Sequence, residues 1–421
     1  PRPPTAPTGF HVLAKPTGAI CNLDCSYCFF LSKEALYPGD RFRMSDEMLE
    51  TYIRQYIEAS PGPGILFVWH GGEPALAGLD FYRRAVEIQR QYLPSGWTCW
   101  NNLQTNGTLL DDEWCAFLAE ERFQVGLSID GTKQLHDAYR KDRHGGDTYA
   151  LAADAVRRLQ ARGIQPDLLC TVTAEVAKEP VAVYRSLRAM GTGWMQFLPI
   201  VRRDAHGQVT PESVSPDAYG RYLCAVFDQW AHHDIGRVNV QLFAEVSLVW
   251  AGGSANLCWI APTCGRVPVV EHDGAVYACD HFVAPEHRRG YLDNAHLGAM
   301  IDAPDQQLFG RAKQERLPAQ CRKCRWRPVC NGGCPKDRFA VTEDGEPGLH
   351  YLCEGLRRFF AHAELPMRYI IERVRADERP EAIMATLRAQ ALERWRGVGR
   401  NDPCPCGSGL KAKRCCWGTR P

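Results

Sequence analysis

The sequence lacks a long apolar run. No stretch of its 421 residues approaches the roughly 18 consecutive apolar residues that mark a membrane-crossing helix, so a bilayer span is not expected. It lacks a charge excess as well. With 50 Lys/Arg against 49 Asp/Glu, no polybasic or polyacidic character dominates the chain. The balance hides an asymmetry: from Pro366 onward there are 12 Lys/Arg and 6 Asp/Glu, which leaves that segment at +6 and the rest at −5. A secretory leader pattern is also missing, and Pro1 to Gly9 is a Pro/Thr-rich stretch expected as a flexible lead-in. These absences predict a cytoplasmic location, no membrane partner and no nucleic-acid partner. Apolar residues make up 45% of the chain, enough for a full core, and the length suits two or three domains.

What the sequence has is cysteine. Nineteen thiols without a secretory pattern argue for metal ligation over a disulfide framework. They are grouped: three at Cys21, Cys25 and Cys28, eight between Cys258 and Cys353, and four between Cys404 and Cys416. The other four, Cys99, Cys115, Cys170 and Cys224, are scattered and read as small buried apolar residues. The first group has the spacing C-x3-C-x2-C in CNLDCSYCF. A [4Fe–4S] cube has four irons, and thiolates usually hold all four. Three close cysteines hold three irons and leave one open to bind a small molecule directly. A zinc knuckle is the competing reading, and the motifs that follow argue against it.

The first 240 residues read as alternating strands and helices. Strands are expected at residues 10–15, 65–70, 98–104, 124–129, 168–173 and 194–200. Helices are expected at 45–59, 79–92, 111–120, 148–161 and 180–189, with Ser45 as an N-cap. Six such βα units predict an α/β fold with a parallel sheet, open or curled into a partial barrel, and chemistry at the C-terminal strand ends. The motifs fall there. The cysteine loop follows the first strand and Gly71-Gly72-Glu73-Pro74 the second. Gln104-Thr105-Asn106-Gly107 follows the third, and Ser128-Ile129-Asp130-Gly131 closes the fourth. Any one of them could be an ordinary turn; four in order at strand ends are a strong signal.

From Cys258 the texture changes to cysteines among turn residues. Cys258 and Cys264-x9-Gly274-x4-Cys279 come first, then Cys321-x2-Cys324-x5-Cys330-x3-Cys334, then Cys353. Eight thiols suffice for two fully ligated [4Fe–4S] clusters or for two four-thiolate zinc sites. Residues 365–400 show an amphipathic pattern, expected as a helical pair broken at Pro380 and packed on the core. Cys404-Pro405-Cys406-Gly407-Ser408-Gly409 then runs into Cys415-Cys416, four thiols suited to one tetrahedral zinc.

The cysteine loop with Tyr27 beside its third thiol resembles the cluster loop of radical S-adenosylmethionine (SAM) enzymes. The second cysteine group resembles the SPASM domain appended to many of them, and the last resembles the SEC-C motif. More narrowly, residues 10–365 resemble the anaerobic sulfatase-maturating enzymes. The resemblance is carried by GGEPALAGLDFY, NNLQTNGTLLDDEW, VGLSIDGTKQLHDAYRKD, GAVYACDHFV and CRKCRWRPVCNGGCPKD. It implies a partial (β/α)6 radical SAM barrel over 10–245, a SPASM domain over 246–365, a helical linker over 366–400 and a small zinc module over 401–421.

The resemblance also implies site roles. Cys21, Cys25 and Cys28 would hold the cluster that binds SAM. Tyr27, Gly71, Gly72, Glu73, Ser128, Arg140 and Val201 would contact SAM, with Arg140 pairing its carboxylate. By composition alone Arg140 would be a solvated surface charge, and Val201 plain core. Cys258, Cys264, Cys279 and Cys334 would hold one auxiliary cluster, and Cys321, Cys324, Cys330 and Cys353 the other. Cys404, Cys406, Cys415 and Cys416 would hold zinc, with a protein partner nearby. The cofactors are thus SAM, three [4Fe–4S] clusters and one Zn2+. SAM cleavage would give a 5′-deoxyadenosyl radical that takes hydrogen from Cβ of a cysteine or serine in a sulfatase C/S-x-P-x-R segment. Asp280 would accept the thiol or hydroxyl proton, and a flavodoxin- or ferredoxin-type donor or a reductase would supply electrons. Two positions depart from the expected pattern: Phe30 and His70 stand where a tyrosine and a glutamine are expected of relatives, and both bear on substrate fit. Two further classes compete: a SPASM enzyme that cross-links or epimerises a ribosomal peptide, and a non-enzymatic zinc protein.

Overall fold

A computed structural model describes residues 9–405, 410–414 and 417. Strands are β1 (Val12–Ala14), β2 (Gly64–Trp69), β3 (Thr98–Thr105), β4 (Gln124–Ser128), β5 (Asp167–Val172), β6 (Trp194–Pro199), β7 (Asn239–Val240), β8 (Val269–Val270), β9 (Ala275–Tyr277), β10 (Arg288–Tyr291), β11 (Ala340–Val341) and β12 (Pro347–Leu349). The helices between the first seven strands are α1 (Asp46–Ala59), α2 (Leu79–Tyr92), α3 (Asp112–Glu120), α4 (Lys133–Tyr139), α5 (Tyr149–Ala161), α6 (Pro180–Ala189) and α7 (Pro216–His233). Those after them are α8 (Gln241–Trp250), α9 (Leu297–Ile301), α10 (Pro304–Glu315), α11 (Ala319–Arg322), α12 (Arg327–Cys330), α13 (Cys353–Arg375) and α14 (Pro380–Trp395). Among the described residues no helix is long and apolar enough to cross a membrane.

The chain forms two compact units that interleave along the sequence. The first holds residues up to Ile129, His136–Leu168 and Pro262–Arg316. Its sheet runs β10-β9-β8-β1-β2-β3-β4. Strands β1 to β4 are parallel, as the βα alternation predicts. The expected first strand is trimmed to three residues. Ser45 caps α1 as expected, its hydroxyl accepting the Met48 N–H at 3.2 Å. Strand β2 alternates in burial, and its inward Phe67 and Trp69 meet Tyr52 and Tyr56 of α1 edge-on. The cysteine-rich texture after Cys258 does not end the sheet: β8 lies parallel beside β1, with Leu13 opposite Val269 and Ala14 opposite Val270. Two residues with no alternation carry no strand signal, which is why the sequence hides this pairing.

The second unit holds Asp130–Leu135, Leu169–Ala261 and the described residues from Leu317. It contains β5, β6 and β7, of which β6 and β7 are parallel. Helix α13 packs along α7. The expected helical pair is present but longer, because α13 begins at Cys353 and carries Pro366 inside it, and Pro380 opens α14. Met367, Ile370, Ile383, Met384 and Leu387 are buried, so this amphipathic stretch is spent on the core. Where α13 meets α7, a Cβ at Gly355 would collide with the Pro216 carbonyl oxygen. Gly355→Ala is therefore expected to force the helices apart at a cost of about 1–3 kcal/mol, read as a lowered melting temperature. Of the four scattered thiols, Cys115, Cys170 and Cys224 are buried as expected. Cys99 is only half-buried: it shares the inward face of β3 with Asn101, Leu103 and Thr105 but sits at the strand's more open first end.

Candidate active site

The cysteine loop follows β1 and is held on two sides within the first unit. The Asp24 N–H donates to the Lys141 carbonyl at 2.8 Å and the Ser26 N–H to the Tyr139 carbonyl at 3.2 Å. Arg143 Nε donates to the Cys21 carbonyl at 2.7 Å. These straps bring Arg140 to the loop. It is 8% exposed, and its guanidinium sits 5.5 Å from the Tyr27 ring centroid. Arg140 is thus no solvated surface charge. Tyr27 is also buried.

The thiols suit a cluster. The Leu23 N–H donates to Cys21 Sγ at 3.3 Å, and Asn106 Nδ2 lies 3.7 Å from the same sulfur. Burial pushes the Cys21 thiol up to about 11, and iron binding would release that proton. Asn106 also donates to Asn22 Oδ1 at 2.9 Å and accepts the Thr108 N–H at 2.9 Å and its hydroxyl at 2.7 Å. Asn106→Ala is expected to lower the potential of a cluster bound here, since N–H···S contacts raise it, and to cost about 1–2 kcal/mol. A redox titration followed by electron paramagnetic resonance, with thermal unfolding alongside, checks both.

The Gly71-Gly72-Glu73 turn after β2 serves the loop. The Gly72 N–H donates to the Gly18 carbonyl and the Glu73 N–H to the Ile20 carbonyl, each at 2.9 Å. A Cβ at Gly72 would collide with the Ile20 carbonyl, so glycine is needed for backbone to meet backbone. The Glu73 side chain is fully buried. Its oxygens accept the Ala75 N–H at 2.9 Å, the Thr105 hydroxyl at 2.8 Å and the Asn106 N–H at 2.8 Å. Burial raises its carboxyl to about 7 against the pull of those bonds. Glu73 therefore locks the β2 and β3 ends together. Ser128, at the end of β4, receives a 3.4 Å bond from Gln104 Nε2.

Asp280 follows Cys279 and ends in an ion-pair group that the sequence did not announce. Lys15 Nζ, at the end of β1, lies 2.6 Å from Asp280 Oδ1 and 3.3 Å from Glu271 Oε1, just past β8. Lys33 Nζ donates to the Asp280 carbonyl at 2.7 Å. Burial alone would raise the Asp280 carboxyl, but Lys15 and Lys33 hold it well below the usual carboxylate range. Burial, with Lys15 adding to it, brings Lys33 down to about 8. Around this group stand aromatic rings: Phe30 lies 5.4 Å from His70, and Phe29 lies 5.4 Å from His281. The two departures noted in the sequence, Phe30 and His70, thus face each other. Burial lowers the His70 imidazole from its ordinary value, and its Nδ1 accepts the Gly71 N–H at 2.8 Å.

The remaining cysteines divide between the units. Cys264 and Cys279 belong to the first. Gln306, 2% exposed, links their neighbours: its Nε2 donates to the Gly265 carbonyl at 3.0 Å and the Ala278 carbonyl at 3.1 Å. Nothing in the sequence of α10 sets Gln306 apart from its neighbour Gln307, so its role left no signal there. Cys258, Cys321, Cys324, Cys330, Cys334 and Cys353 belong to the second unit. Burial and the neighbouring thiols Cys330 and Cys321 push Cys353 up to about 12. Burial, with Asp337 and then Cys258 adding, pushes Cys334 up to about 11. Val201, buried past β6, is also in the second unit. Of the C-terminal thiols only Cys404 is described; it is buried, and its N–H donates to the Leu410 carbonyl at 2.8 Å. Cys406, Cys415 and Cys416 lie outside the described residues.

The Radical SAM superfamily model matches residues 16–179, and SPASM, an iron-sulfur cluster-binding domain, matches 264–325. The SEC-C motif matches 400–418. The serine-type anaerobic sulfatase-maturating enzyme of Bacteroides thetaiotaomicron is 38% identical over 399 residues, covering 91% of this chain and 96% of that one. The chain belongs to the anaerobic sulfatase-maturating enzymes. The cysteine-type member of Clostridium perfringens strain 13 is 32% identical over 359 residues, covering 84% of this chain and 95% of that one. The solved structure of native anSMEcpe with bound AdoMet and Cp18Cys peptide superposes with a TM-score of 0.79 at 30% identity, covering 87% of this chain and all of that one. This family member is therefore a radical SAM enzyme with the family's α/β fold, and it works with SAM and iron–sulfur clusters.

Proposed function

We propose that this enzyme oxidises a cysteine or serine side chain of a sulfatase to Cα-formylglycine. One observation carries the reading: an aspartate, Asp280, is pinned by Lys15 beside Cys279 in a chain that aligns along 91% of its length with a sulfatase maturase. Cys21, Cys25 and Cys28 would hold three irons of the first cluster, and Arg140, Tyr27, Ser128, Gly71 and Gly72 would surround SAM, with Glu73 bracing the turn. The bound cluster and SAM supply a radical able to remove hydrogen from Cβ, and the eight SPASM cysteines would hold two further clusters able to take up one electron.

Asp280 takes the thiol or hydroxyl proton. The substrate has then lost a hydrogen atom, a proton and an electron, and –CH2SH has become –CH=S, which water converts to the aldehyde, or –CH2OH has become –CHO. Aromatic rings gather near that carboxylate, with Phe30 against Phe29 and His70, and Phe29 against His281. Cys404, Cys406, Cys415 and Cys416 would hold one zinc in an appendage for a protein partner, and a flavodoxin-type, ferredoxin-type or reductase donor would supply electrons.

The test is anaerobic mass spectrometry of reconstituted protein with SAM, reductant and peptides carrying C-x-P-x-R or S-x-P-x-R. A loss of about 18 Da from the cysteine peptide or about 2 Da from the serine peptide, with 5′-deoxyadenosine, is the expected result. Serine is the first target to try, because the serine-type relatives reach 38% identity against 32% for the cysteine type. Formation of 5′-deoxyadenosine with both peptides unchanged would move the reading to peptide cross-linking or epimerisation.

A further inference from the structure

We infer that Lys15, clamped by Glu271, is the positioning residue that aims the Asp280 carboxylate. The inference rests on the reading of Asp280 as proton acceptor and deepens it. Its basis is sheet register. Strands β1 and β8 are parallel neighbours with Ala14 opposite Val270. The next residue on each strand is Lys15 and Glu271, so one step beyond the pairing puts an ammonium beside a carboxylate. Both side chains are almost wholly shut from solvent, at 1% and 2% exposure.

A buried ion pair seldom stabilises a fold against an apolar pair of the same volume, so this one is weak evidence of a stabilising device and invites another role. The geometry supplies one. Lys15 Nζ is 3.3 Å from Glu271 Oε1 but 2.6 Å from Asp280 Oδ1. The Phe30 ring covers the same ammonium, its centroid 4.4 Å away. Asp280 Oδ1 is sealed from solvent, while the side chain as a whole keeps 14% of its surface. One carboxylate oxygen is thus spent on Lys15, and we assign the other, Oδ2, as the atom that meets the substrate proton. Lys33 fixes the backbone of the same residue through its carbonyl. Glu271 matters because it holds the same ammonium as Asp280, so that Lys15 Nζ is fixed between two carboxylates and not left to follow one of them.

Four variants of the reconstituted full chain test this: Lys15→Met, Lys15→Arg, the double variant Lys15→Met/Glu271→Gln, and Asp280→Asn. The readout is the ratio of 5′-deoxyadenosine formed to aldehyde formed on the substrate peptide, with iron content measured in parallel. A misaimed base lets hydrogen abstraction proceed and loses the product. Lys15→Met is expected to raise the ratio on the order of tenfold to a hundredfold at full iron content, and Lys15→Arg to bring it most of the way back. A Lys15→Met protein with full iron and a wild-type ratio overturns the inference. If Lys15→Met alone loses iron, the double variant, which removes one charge of each sign, decides by the same ratio. Asp280→Asn separates the two readings. A raised ratio there with a wild-type ratio in the Lys15 variants sinks only the Lys15 assignment, whereas a wild-type ratio in Asp280→Asn sinks the base itself.

Discussion

Replacing Asp280 with asparagine is expected to cut aldehyde formation by about 10²- to 10⁴-fold while 5′-deoxyadenosine continues to form. Asparagine keeps the size and the carbonyl oxygen that Lys15 can hold, but it cannot take a proton. The substitution also leaves Glu271 as the one carboxylate beside Lys15 and Lys33 with its backbone bond, so the local charge rises by one without removing a cation. Iron content should stay at the wild-type level, because Cys279 keeps its backbone neighbours. Parallel chromatography of 5′-deoxyadenosine and mass spectrometry of the peptide read both sides of the uncoupling. Equal losses of the two products would mean that Asp280 supports the fold or the cluster and not the proton transfer.

Glu73→Ala is expected to be the most damaging single change outside the cysteines. It strips the acceptor from the Ala75 and Asn106 N–H groups and from the Thr105 hydroxyl, all in a buried site. Each orphaned donor costs about 1–3 kcal/mol, so three approach the few kcal/mol by which domains are stable. The loss should appear as a large fall in melting temperature and as failure to retain iron, since the turn carries the 2.9 Å bond to Ile20 at the mouth of the cysteine loop. The wild-type protein should show a matching pH signature. Burial raises the Glu73 carboxyl from 4.5 to about 7, so the folded chain holds its proton to higher pH than the unfolded chain. The sign is therefore that this group's stability is present below pH 4.5 and lost as pH rises toward 7. Glu73→Gln should flatten that stretch of a melting-temperature profile.

Much of the site could be read from residue order because it sits on consecutive strand ends. Cys21, Cys25 and Cys28 share one loop, and the turns at 71–74, 104–107 and 128–131 each follow a strand with recognisable alternation or β-branched content. The Ser45 cap was equally visible, since a hydroxyl three residues before an N–H is a local signal. Arg140 was visible only by resemblance. Its burial depends on two backbone bonds between the cysteine loop and residues 139–141, and those bonds leave no mark on composition. Lys15 and Glu271 were invisible for a different reason. They lie 256 positions apart and meet through β8, a strand of two residues set in a cysteine-rich segment that reads as irregular. Gln306 is the same kind of case: a polar side chain on an exposed-looking helix whose value is two carbonyls far away in sequence. Local chemistry is written in motifs, whereas the buried charges that aim it are fixed by long-range strand pairing.

The central claim is that hydrogen leaves Cβ of the target residue. The most direct test is an anaerobic reaction with a substrate peptide deuterated at both Cβ positions of its serine or cysteine, followed by mass analysis of the 5′-deoxyadenosine. The account predicts 5′-deoxyadenosine heavier by one deuterium and an aldehyde that retains the other. Unlabelled 5′-deoxyadenosine from this peptide, with label transferred only from a peptide deuterated at Cα, would contradict it.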